Sequence, residues 1–576
     1  MRPIALGSVR GARTSGSTRA TGALAGDPAG WRARQQERSR DEHDAAPLLS
    51  SVSCLLSSVS CLLSPIFCIL SVLFDPTSTI AAIATPPGRG GIGVVRISGP
   101  EARPTAQRIL TTVKPSREEH AAPGCGDAAN ARNEEAHTRR DDEAARVLEP
   151  GFLSPAPGSG VPALAHRHAT YCLVMGPGRG PIDEAVATFF AGPHSYTGED
   201  VVEISAHGSP ELLREILQAA LLAGARLAEP GEFTLRAFLN GRMDLAQAEA
   251  VNDLVDAVTP LQARVAFDQL QGTLTEAVGA LDRELFDLVV RLEASLDFPE
   301  EGYHFADRGE IASIVARVRE GVAALLATAK QGRVVREGRQ IAILGKPNVG
   351  KSTLFNRLVG AERAIVTDIP GTTRDLLTET VDFEGIRLGV VDTAGIRAGA
   401  DVIEAEGVAR ARRAAAVADV VVLVFDQSRR VEAWDRDLLA EVRGLRRVPV
   451  VNKTDLPAVW RWAELAGSMT AGHPKPVRLS LKSGQGWDTF RSALLRALEA
   501  DEAIRDSPMV TNIRHQNLLE EALGALDRAT ASPAGVSEEF LLADLAGARR
   551  AFEEITGRRT TEDVLRAIFS RFCIGK

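Results

Sequence analysis

Aromatic side chains and cysteine are scarce in this chain, and basic residues are not in excess. Aromatic residues make up 5% of the 576 residues, which argues against a broad platform on which RNA bases stack. Only 6 cysteines are present, which excludes a small disulfide-stapled secreted domain and favours a reducing cytosol. With 67 Lys and Arg against 75 Asp and Glu, the formal charge of −8 excludes a uniformly basic nucleic-acid coat protein.

The remaining composition is that of an ordinary globular protein. Hydrophobic residues account for 44% and charged residues for 25%, so wholesale disorder is not expected. At about 150 residues per domain, the length predicts roughly three or four domains.

The first 74 residues differ from the rest. Residues 1–44 are rich in Arg, Gly, Ser and Ala and are predicted to be disordered. Residues 45–74 carry no charge and contain the unit LLSSVSC twice in succession. This run is long enough for a membrane or signal segment, but its serines and Pro65 favour a short tandem repeat translated upstream of the true start. We therefore expect no part of 1–74 in the fold and no stable membrane association.

The next region, 75–241, is predicted to be an α+β domain. Short β-type runs alternate with turns, and Pro210–Ala223 is predicted to be a helix packed on the strands. A polar stretch at about 113–166, rich in Pro and Gly, lacks an apolar period and is predicted to be a surface insertion. The predicted strands are Ile92–Ile97, Ala185–Phe190 and Val201–Ile204.

Farther along, helical patterns flank a strand–helix region. Apolar residues recur at steps of three and four from Leu270 to Leu296, which predicts one long helix, and 312–330 is also predicted to be helical. The strand Gln340–Leu344 (QIAIL) opens an alternating region that is typical of a parallel sheet. The predicted class is thus multidomain α+β, all-α and α/β, with domains at 242–337, 338–499 and 500–576, the middle one inserted into a helical domain.

A phosphate-binding loop follows the strand QIAIL. Residues Gly345–Ser352 match G-x-x-x-x-G-K-[ST] in the required strand–loop–helix context. Backbone N–H groups of such a loop wrap the phosphates, Lys351 reaches the β- and γ-phosphate oxygens, and the Ser352 hydroxyl ligates Mg²⁺. The motif alone does not distinguish ATPases from GTPases.

Three further motifs favour a guanine nucleotide. DTAG, at Asp392–Gly395, ends another strand; its aspartate can serve the Mg²⁺ shell and its glycine N–H the γ-phosphate. NKTD, at Asn452–Asp455, follows a later strand, and Asp455 can accept from N1–H and N2–H₂ of guanine, which adenine does not offer. Ser480–Lys482 would support the base from a later loop. Four elements in this order predict a GTP site.

Two features bear on hydrolysis. Within Thr367–Asp375 one threonine should close on Mg²⁺, and Thr373 is our choice. Ile396 stands where many GTPases have the glutamine that orients the attacking water, so another group must do this. An arginine finger, or a monovalent cation bound by the Asn348 side-chain carbonyl, could neutralise transition-state charge. The downstream candidates are Arg397, Asp401, Glu404 and Glu406.

These residues resemble the tRNA uridine 5-carboxymethylaminomethyl modification GTPases (the MnmE/TrmE family) over about 75–576, apart from the insertion. In the nucleotide region the resemblance rests on GKPNVGKSTLFN, IVTDIPGTTRD and DTAGIR. Outside it, the resemblance rests on segments that generic GTPases lack. They are ATPPGRGGIG from Ala84, GPHSYTGED from Gly192, PGEFTLRAFLN from Pro230 and the terminal FCIGK from Phe572.

The resemblance implies three parts. An N-terminal domain would dimerise and bind 5-formyltetrahydrofolate or a related one-carbon folate, next to a helical domain and an inserted P-loop (Ras-like) G domain. The folate contacts would be Arg96, Glu203, Arg242 and Lys576. The family often has Lys at position 242. Cys573 would point toward the central site, where a thiol role and a structural role both remain open.

The resemblance also implies a potassium-dependent GTPase that is activated when two G domains meet. K⁺ would be held by Asn348, Thr367, Ile369 and Thr372, and Mg²⁺ by Ser352 and Thr373. Glu404 would orient the attacking water, with Glu406 as a fallback. The complete predicted GTP-binding set is Asn348, Val349, Gly350, Lys351, Ser352, Thr353, Thr367, Asp368, Ile369, Pro370, Gly371, Thr372, Thr373, Asp392, Thr393, Ala394, Gly395, Asn452, Lys453, Thr454, Asp455, Ser480, Leu481 and Lys482.

The partner implied by the resemblance is an FAD- and NADH-using protein (MnmG/GidA) in a heterotetramer. Together they would add a carboxymethylaminomethyl or aminomethyl group to C5 of the wobble uridine of certain tRNAs, in the cytoplasm. GTP hydrolysis would drive a conformational change. A net charge of −8 is unfavourable for binding tRNA, so it fits a chain that acts on tRNA together with a partner.

Two alternatives belong to other classes. A ribosome-assembly GTPase would carry a basic RNA-binding module, such as a KH domain, after the G domain. A membrane-anchored GTPase would use residues 45–74 as its anchor.

Overall fold

A computed structural model of the chain describes residues 77–112, 160–178, 180–297, 307–361, 379–391, 414–466, 474–499, 508–531 and 538–576. The predictions for 1–74 and for most of the 113–166 insertion lie outside these residues. Contacts divide the chain into Met1–Asp75 and Pro76–Lys576, and every described residue belongs to the second unit.

The first part of the described chain forms a seven-stranded sheet. Helices α1 (Ala102–Ile109) and α2 (Pro210–Leu222) bury apolar side chains against one face of it. The three predicted strands are confirmed but run one, five and three residues farther than predicted, and the predicted helix is confirmed with its end one residue early. In the order β3-β4-β5-β6-β2-β1-β7, the strands are β1 (Ile80–Ile83), β2 (Ile92–Ser98), β3 (Leu110–Thr112), β4 (Ala169–Gly176), β5 (Gly180–Phe190), β6 (Val201–His207) and β7 (Arg226–Leu227).

Helices follow this sheet. They are α3 (Glu232–Leu239), α4 (Leu245–Asp256), α5 (Pro260–Leu270), α6 (Thr273–Asp297) and α7 (Arg308–Glu337). The helix predicted at 312–330 is confirmed within α7, but the single helix predicted from Leu270 to Leu296 is wrong at its start. Leu270 ends α5, and Gly272, at a φ of 91°, separates it from α6. A glycine in this conformation ends a helix without disturbing the apolar period, so the period runs on across the turn.

The chain then forms a six-stranded sheet in the order β13-β12-β11-β8-β10-β9. All its pairs are parallel except β9–β10. Apolar cores lie on both faces, and every residue of β11 is buried, as expected for a parallel sheet that helices cover on both sides. The strands are β8 (Arg339–Leu344), β9 (Glu379–Phe383), β10 (Ile386–Val391), β11 (Val420–Asp426), β12 (Arg447–Asn452) and β13 (Val477–Arg478), and the helices are α8 (Lys351–Ala361), α9 (Ala433–Glu441), α10 (Trp462–Ala466) and α11 (Trp487–Ala497).

In the described residues from 508 onward there are three helices: α12 (Ile513–Ala531), α13 (Glu538–Thr556) and α14 (Glu562–Phe569). Helices α12 and α13 share one apolar core with α6 and α7, so residues on both sides of the second sheet in sequence build a single core. After α14 the chain returns to α3, where the Phe238 and Phe569 ring centroids are 6.5 Å apart. Among the described residues, no helix has both the length and the apolar character needed to span a membrane.

Candidate functional site

The phosphate-binding loop joins the carboxyl end of β8 to the first turn of α8. Gly350 has a φ of 109°, and a Cβ added there would lie 2.3 Å from the side-chain nitrogen of Asn452, so the loop requires glycine at this point. Lys351 Nζ donates to the carbonyl oxygens of Gly345 and Lys346 at 2.8 and 2.7 Å. Phosphate oxygens compete well with such neutral acceptors because charged hydrogen bonds are stronger. Burial lowers the pKa of Lys351.

Asn452, the last residue of β12, connects the three described motifs. Its side-chain nitrogen donates to the Val349 carbonyl at 2.8 Å, and its side-chain oxygen accepts from the Leu481 N–H at 3.2 Å. The structure therefore brings 348–353, 452–455 and 480–482 together at one edge of the sheet, where the carboxyl ends of parallel strands form ligand sites.

Asp455 offers an ionised acceptor at the exposed side of this edge. Its Oδ1 accepts from the Ser480 hydroxyl at 2.7 Å, and this hydrogen bond lowers the pKa of Asp455. Ser480 itself is fully buried. Because Asp455 is exposed and its second carboxylate oxygen is also an acceptor, this side chain suits a ligand edge that carries two N–H donors.

Other predicted residues of the nucleotide site lie outside the described residues. These are Thr367, Asp368, Ile369, Pro370, Gly371, Thr372, Thr373, Asp392, Thr393, Ala394, Gly395 and Glu404. The strand that precedes DTAG is described: β10 ends at Val391, which pairs with Ala342 of the parallel strand β8. Strands β8 and β10 therefore deliver their following residues to the same edge of the sheet.

The structure adds residues that sequence reasoning missed. Lys346 Nζ lies 2.8 Å from Glu432 and 2.7 Å from Asp435 at the start of α9. Burial opposes the charged form, but the two carboxylates raise the pKa of Lys346. Asp426, the last residue of β11, lies 2.6 Å from Lys453 Nζ. The sequence did offer one signal for Asp426. This carboxylate ends the buried strand β11, and the next strand in the chain, β12, leads into the NKTD motif.

A second group of predicted residues meets on the first sheet. Arg96 and Glu203 are register partners on β2 and β6, and both Nε and Nη2 of Arg96 lie 2.9 Å from Glu203 Oε1. The Arg96 guanidinium lies 5.2 Å from the Tyr196 ring centroid and 5.6 Å from that of Phe233. It also donates to the Gly575 carbonyl at 3.3 Å, so the chain end reaches this pair.

The remaining two predicted residues of this group lie on neighbouring segments. A Cβ added at Gly198 would be 3.3 Å from Arg242 Cγ, so the Arg242 stem packs over the loop that carries Tyr196. The Lys576 N–H donates to the Cys573 carbonyl at 3.3 Å, next to the Gly575 contact. Cys573 is an exposed free thiol.

A buried ionic network supports this second group, and the sequence analysis did not identify it. Arg236 lies 3.1 Å from Glu199 and 2.9 Å from Glu232, and Glu232 also pairs with Arg226 at 2.5 Å. Burial disfavours the charge of Glu232, but its arginine partners hold its pKa below the usual range. Glu199 also accepts from the Ser98 hydroxyl at 2.9 Å. Through Arg236 and Glu199, the network joins the segment GPHSYTGED to the segment PGEFTLRAFLN.

Two family models match the chain. The MnmE helical domain matches 245–573, and the GTP-binding protein TrmE N-terminus matches 79–148 and 144–242. A tRNA modification GTPase MnmE of Koribacter versatilis is 42% identical over 501 residues, which cover 86% of this chain and 99% of that protein. The same-named protein of Symbiobacterium thermophilum is 40% identical over 500 residues, covering 86% and 99%. Among solved structures, the G domain of the T. maritima FeoB iron transporter matches 28% of this chain and 98% of that one at 24% identity, with a TM-score of 0.21, too low to support a conclusion.

Proposed function

Since the chain belongs to the MnmE family of tRNA modification GTPases, we propose that it hydrolyses GTP in the course of tRNA modification. The observation that carries the proposal is the Asn452 side chain, which holds the phosphate-binding loop and the base-recognition loops in one site. Lys351 then meets the β- and γ-phosphates, and Asp455 meets the guanine edge. The described residues after the second sheet form helices, which disfavours the ribosome-assembly alternative.

We further propose the domain organisation 75–241, 242–337, 338–499 and 500–576, with the G domain inserted into the helical domain. The shared core of α6, α7, α12 and α13 supports this organisation because its residues come from both sides of 338–499. The separate cores on the two faces of the second sheet support a G domain that folds around its own sheet.

For the hydrolytic step, Mg²⁺ would be held by Ser352 and Thr373, and K⁺ by Asn348, Thr367, Ile369 and Thr372. Of these, Ser352 stands in the first turn of α8 beside Lys351, where its hydroxyl would serve as a ligand to Mg²⁺. Asn348 is an exposed residue of the loop with a φ of 64°, and its side-chain carbonyl would suit a monovalent cation. The bound cations would supply positive charge at the phosphates, while Glu404 would orient the attacking water.

For the tRNA step, a one-carbon folate would bind at Arg96, Glu203, Arg242 and Lys576. The fit rests on a guanidinium–carboxylate pair whose guanidinium lies over two aromatic rings, a polar and aromatic setting that suits a flat heterocycle with a hydrogen-bonding edge. The chain would act as a homodimer with an FAD- and NADH-using partner in the cytoplasm. The product would be a carboxymethylaminomethyl or aminomethyl group on C5 of the wobble uridine.

Nucleoside analysis tests this function. The full chain is expressed in a bacterial strain that lacks its own member of the family, and wobble uridines of bulk tRNA are analysed by mass spectrometry. Wild type should restore the modified nucleoside, whereas Lys351→Ala should not, because the variant loses the phosphate contact. Unmodified uridine with wild type, in cells that contain the folded protein, would refute the proposal.

A further inference from the structure

Asp426 is an almost fully buried carboxylate behind the guanine-recognition loop. Its side chain is 3% exposed, and its register partner in β12 is Asn452. One oxygen lies 2.6 Å from Lys453 Nζ. The other accepts from the N–H and the hydroxyl of Ser428 at 2.9 and 2.7 Å. Burial disfavours the charged form, but Lys453 and Ser428 hold the pKa of Asp426 below its usual range.

Lys453 needs this partner because of its own backbone. Its φ is 63°, in the left-handed region that lysine rarely adopts. A strained backbone conformation persists only where the surroundings hold it, and the ion pair with Asp426 holds that of Lys453. Lys453 stands two positions before Asp455, so the backbone conformation of Lys453 determines where Asp455 lies.

The next residue, Gln427, holds the rest of the loop. Its N–H donates to the Asn452 carbonyl at 3.0 Å, and its side-chain nitrogen donates to the Leu456 carbonyl at 2.7 Å. Its side-chain oxygen accepts from Arg478 on β13, the strand that leads to Ser480. Gln427, which follows β11, is therefore hydrogen-bonded to both ends of the base-recognition loop, 452–456. It is also hydrogen-bonded to β13, the strand that precedes the second base loop, 480–482.

We propose that Asp426 is a positioning residue for guanine recognition: by holding the Lys453 ammonium, it fixes the loop that presents Asp455 to the base. The inference rests on the proposed function, because it assigns a role within the same nucleotide site. Asp426 acts through Lys453, so its removal should matter only while Lys453 is present.

A double-mutant cycle tests this coupling. GDP binding to the full chain is measured by calorimetry for wild type, Asp426→Asn, Lys453→Gln and the double variant. Each single change should weaken GDP binding about tenfold, and the double variant should bind no more weakly than Lys453→Gln alone. Asp437→Asn, an exposed aspartate of α9, is the matched control and should bind as wild type.

The outcomes separate the two proposals. If wild type binds no GDP, the proposed function fails. If wild type binds GDP and Asp426→Asn binds it equally well, or if the two single effects simply add, the positioning role fails while the function stands. A role of Asp426 in stability alone would lower the free energy of unfolding of Asp426→Asn and leave its GDP affinity unchanged.

If Asp426→Asn does not fold, the proposal can be tested on the wild-type chain. Brief acetylation with acetic anhydride, followed by peptide mass spectrometry, reports how readily each lysine amine reacts. Lys453, held by Asp426, should react several-fold more slowly than exposed Lys475, and GDP should leave this protection in place. Equal reactivity of the two amines would overturn the proposal.

Discussion

At the residue scale, Lys351 and Asp455 are the side chains that would meet the nucleotide, and Lys346 and Asp426 form ion pairs on the segments around them. Motif spacing predicts Lys351, Asn452 and Asp455, because each has one chemical task and one place after a strand. Lys346 and Asp426 escape such reasoning. Their partners belong to segments whose approach depends on the order of strands in the sheet, which spacing does not show.

Replacement of Asp455 by Asn should change the preferred base. The variant loses an anionic acceptor for N1–H and N2–H₂ of guanine and gains a donor that suits the carbonyl oxygen of xanthine. We expect GTP affinity to fall about 10- to 100-fold and xanthosine triphosphate to become the better ligand. Competition binding with the two nucleotides checks this expectation.

Asp488→Asn, at an exposed aspartate in the first turn of α11, is the matched control and should keep the preference for GTP. An Asp455→Asn variant that still preferred GTP would show that the guanine edge is read elsewhere.

At the element scale, periodicity predicts strands and helices well but not their breaks. The sequence predicts strand Ile92–Ser98 one residue short and strand Val201–His207 three residues short, because the alternation of each strand reflects one buried face. The break at Gly272 was missed, since the apolar period continues across it. Contacts between elements were also missed: Glu249 of α4 lies 2.8 Å from Arg514 and 2.7 Å from His515 of α12, which sequence distance conceals.

This tie between α4 and α12 predicts a dependence of stability on pH. Burial alone would raise the pKa of Glu249, but His515 and Arg514 hold it well below its usual range. The stabilisation is present above the unfolded-state pKa of roughly 4.3 and is lost as pH falls below it. Between pH 6 and pH 3, the free energy of unfolding of wild type should therefore fall by about 2 kcal/mol more than that of Glu249→Gln.

Urea denaturation at each pH measures this difference. Glu520→Gln, an exposed glutamate of α12, is the control and should behave as wild type. Parallel pH profiles for wild type and Glu249→Gln would contradict the assignment.

At the scale of the whole molecule, Gly575, near the end of the chain, contacts the first sheet. The carbonyl of Gly575 accepts from Arg96, 479 positions earlier in the sequence. Family resemblance predicted that Lys576 and Arg96 serve one site, but no property of composition or spacing would have done so. The nucleotide site is built separately on the second sheet, so the two sites should respond independently to change.

Removal of Gly575 and Lys576 should affect only the first of these sites. The deletion takes away an acceptor for Arg96 and a predicted folate contact, so binding of 5-formyltetrahydrofolate should weaken about tenfold or more. GDP binding should be unchanged. Calorimetry with each ligand measures both, and Arg571→Gln, an exposed neighbour, is the control. Unaltered folate binding in the shortened chain would place the folate elsewhere.

We propose that this chain is a potassium-stimulated GTPase that is activated when two copies meet. GTP turnover by the full chain, measured in K⁺ and in Na⁺ over a range of protein concentrations, tests this most directly. The rate per chain should rise with protein concentration in K⁺, and Glu404→Gln should abolish the rise. Equal, slow rates in both salts at every concentration would contradict it.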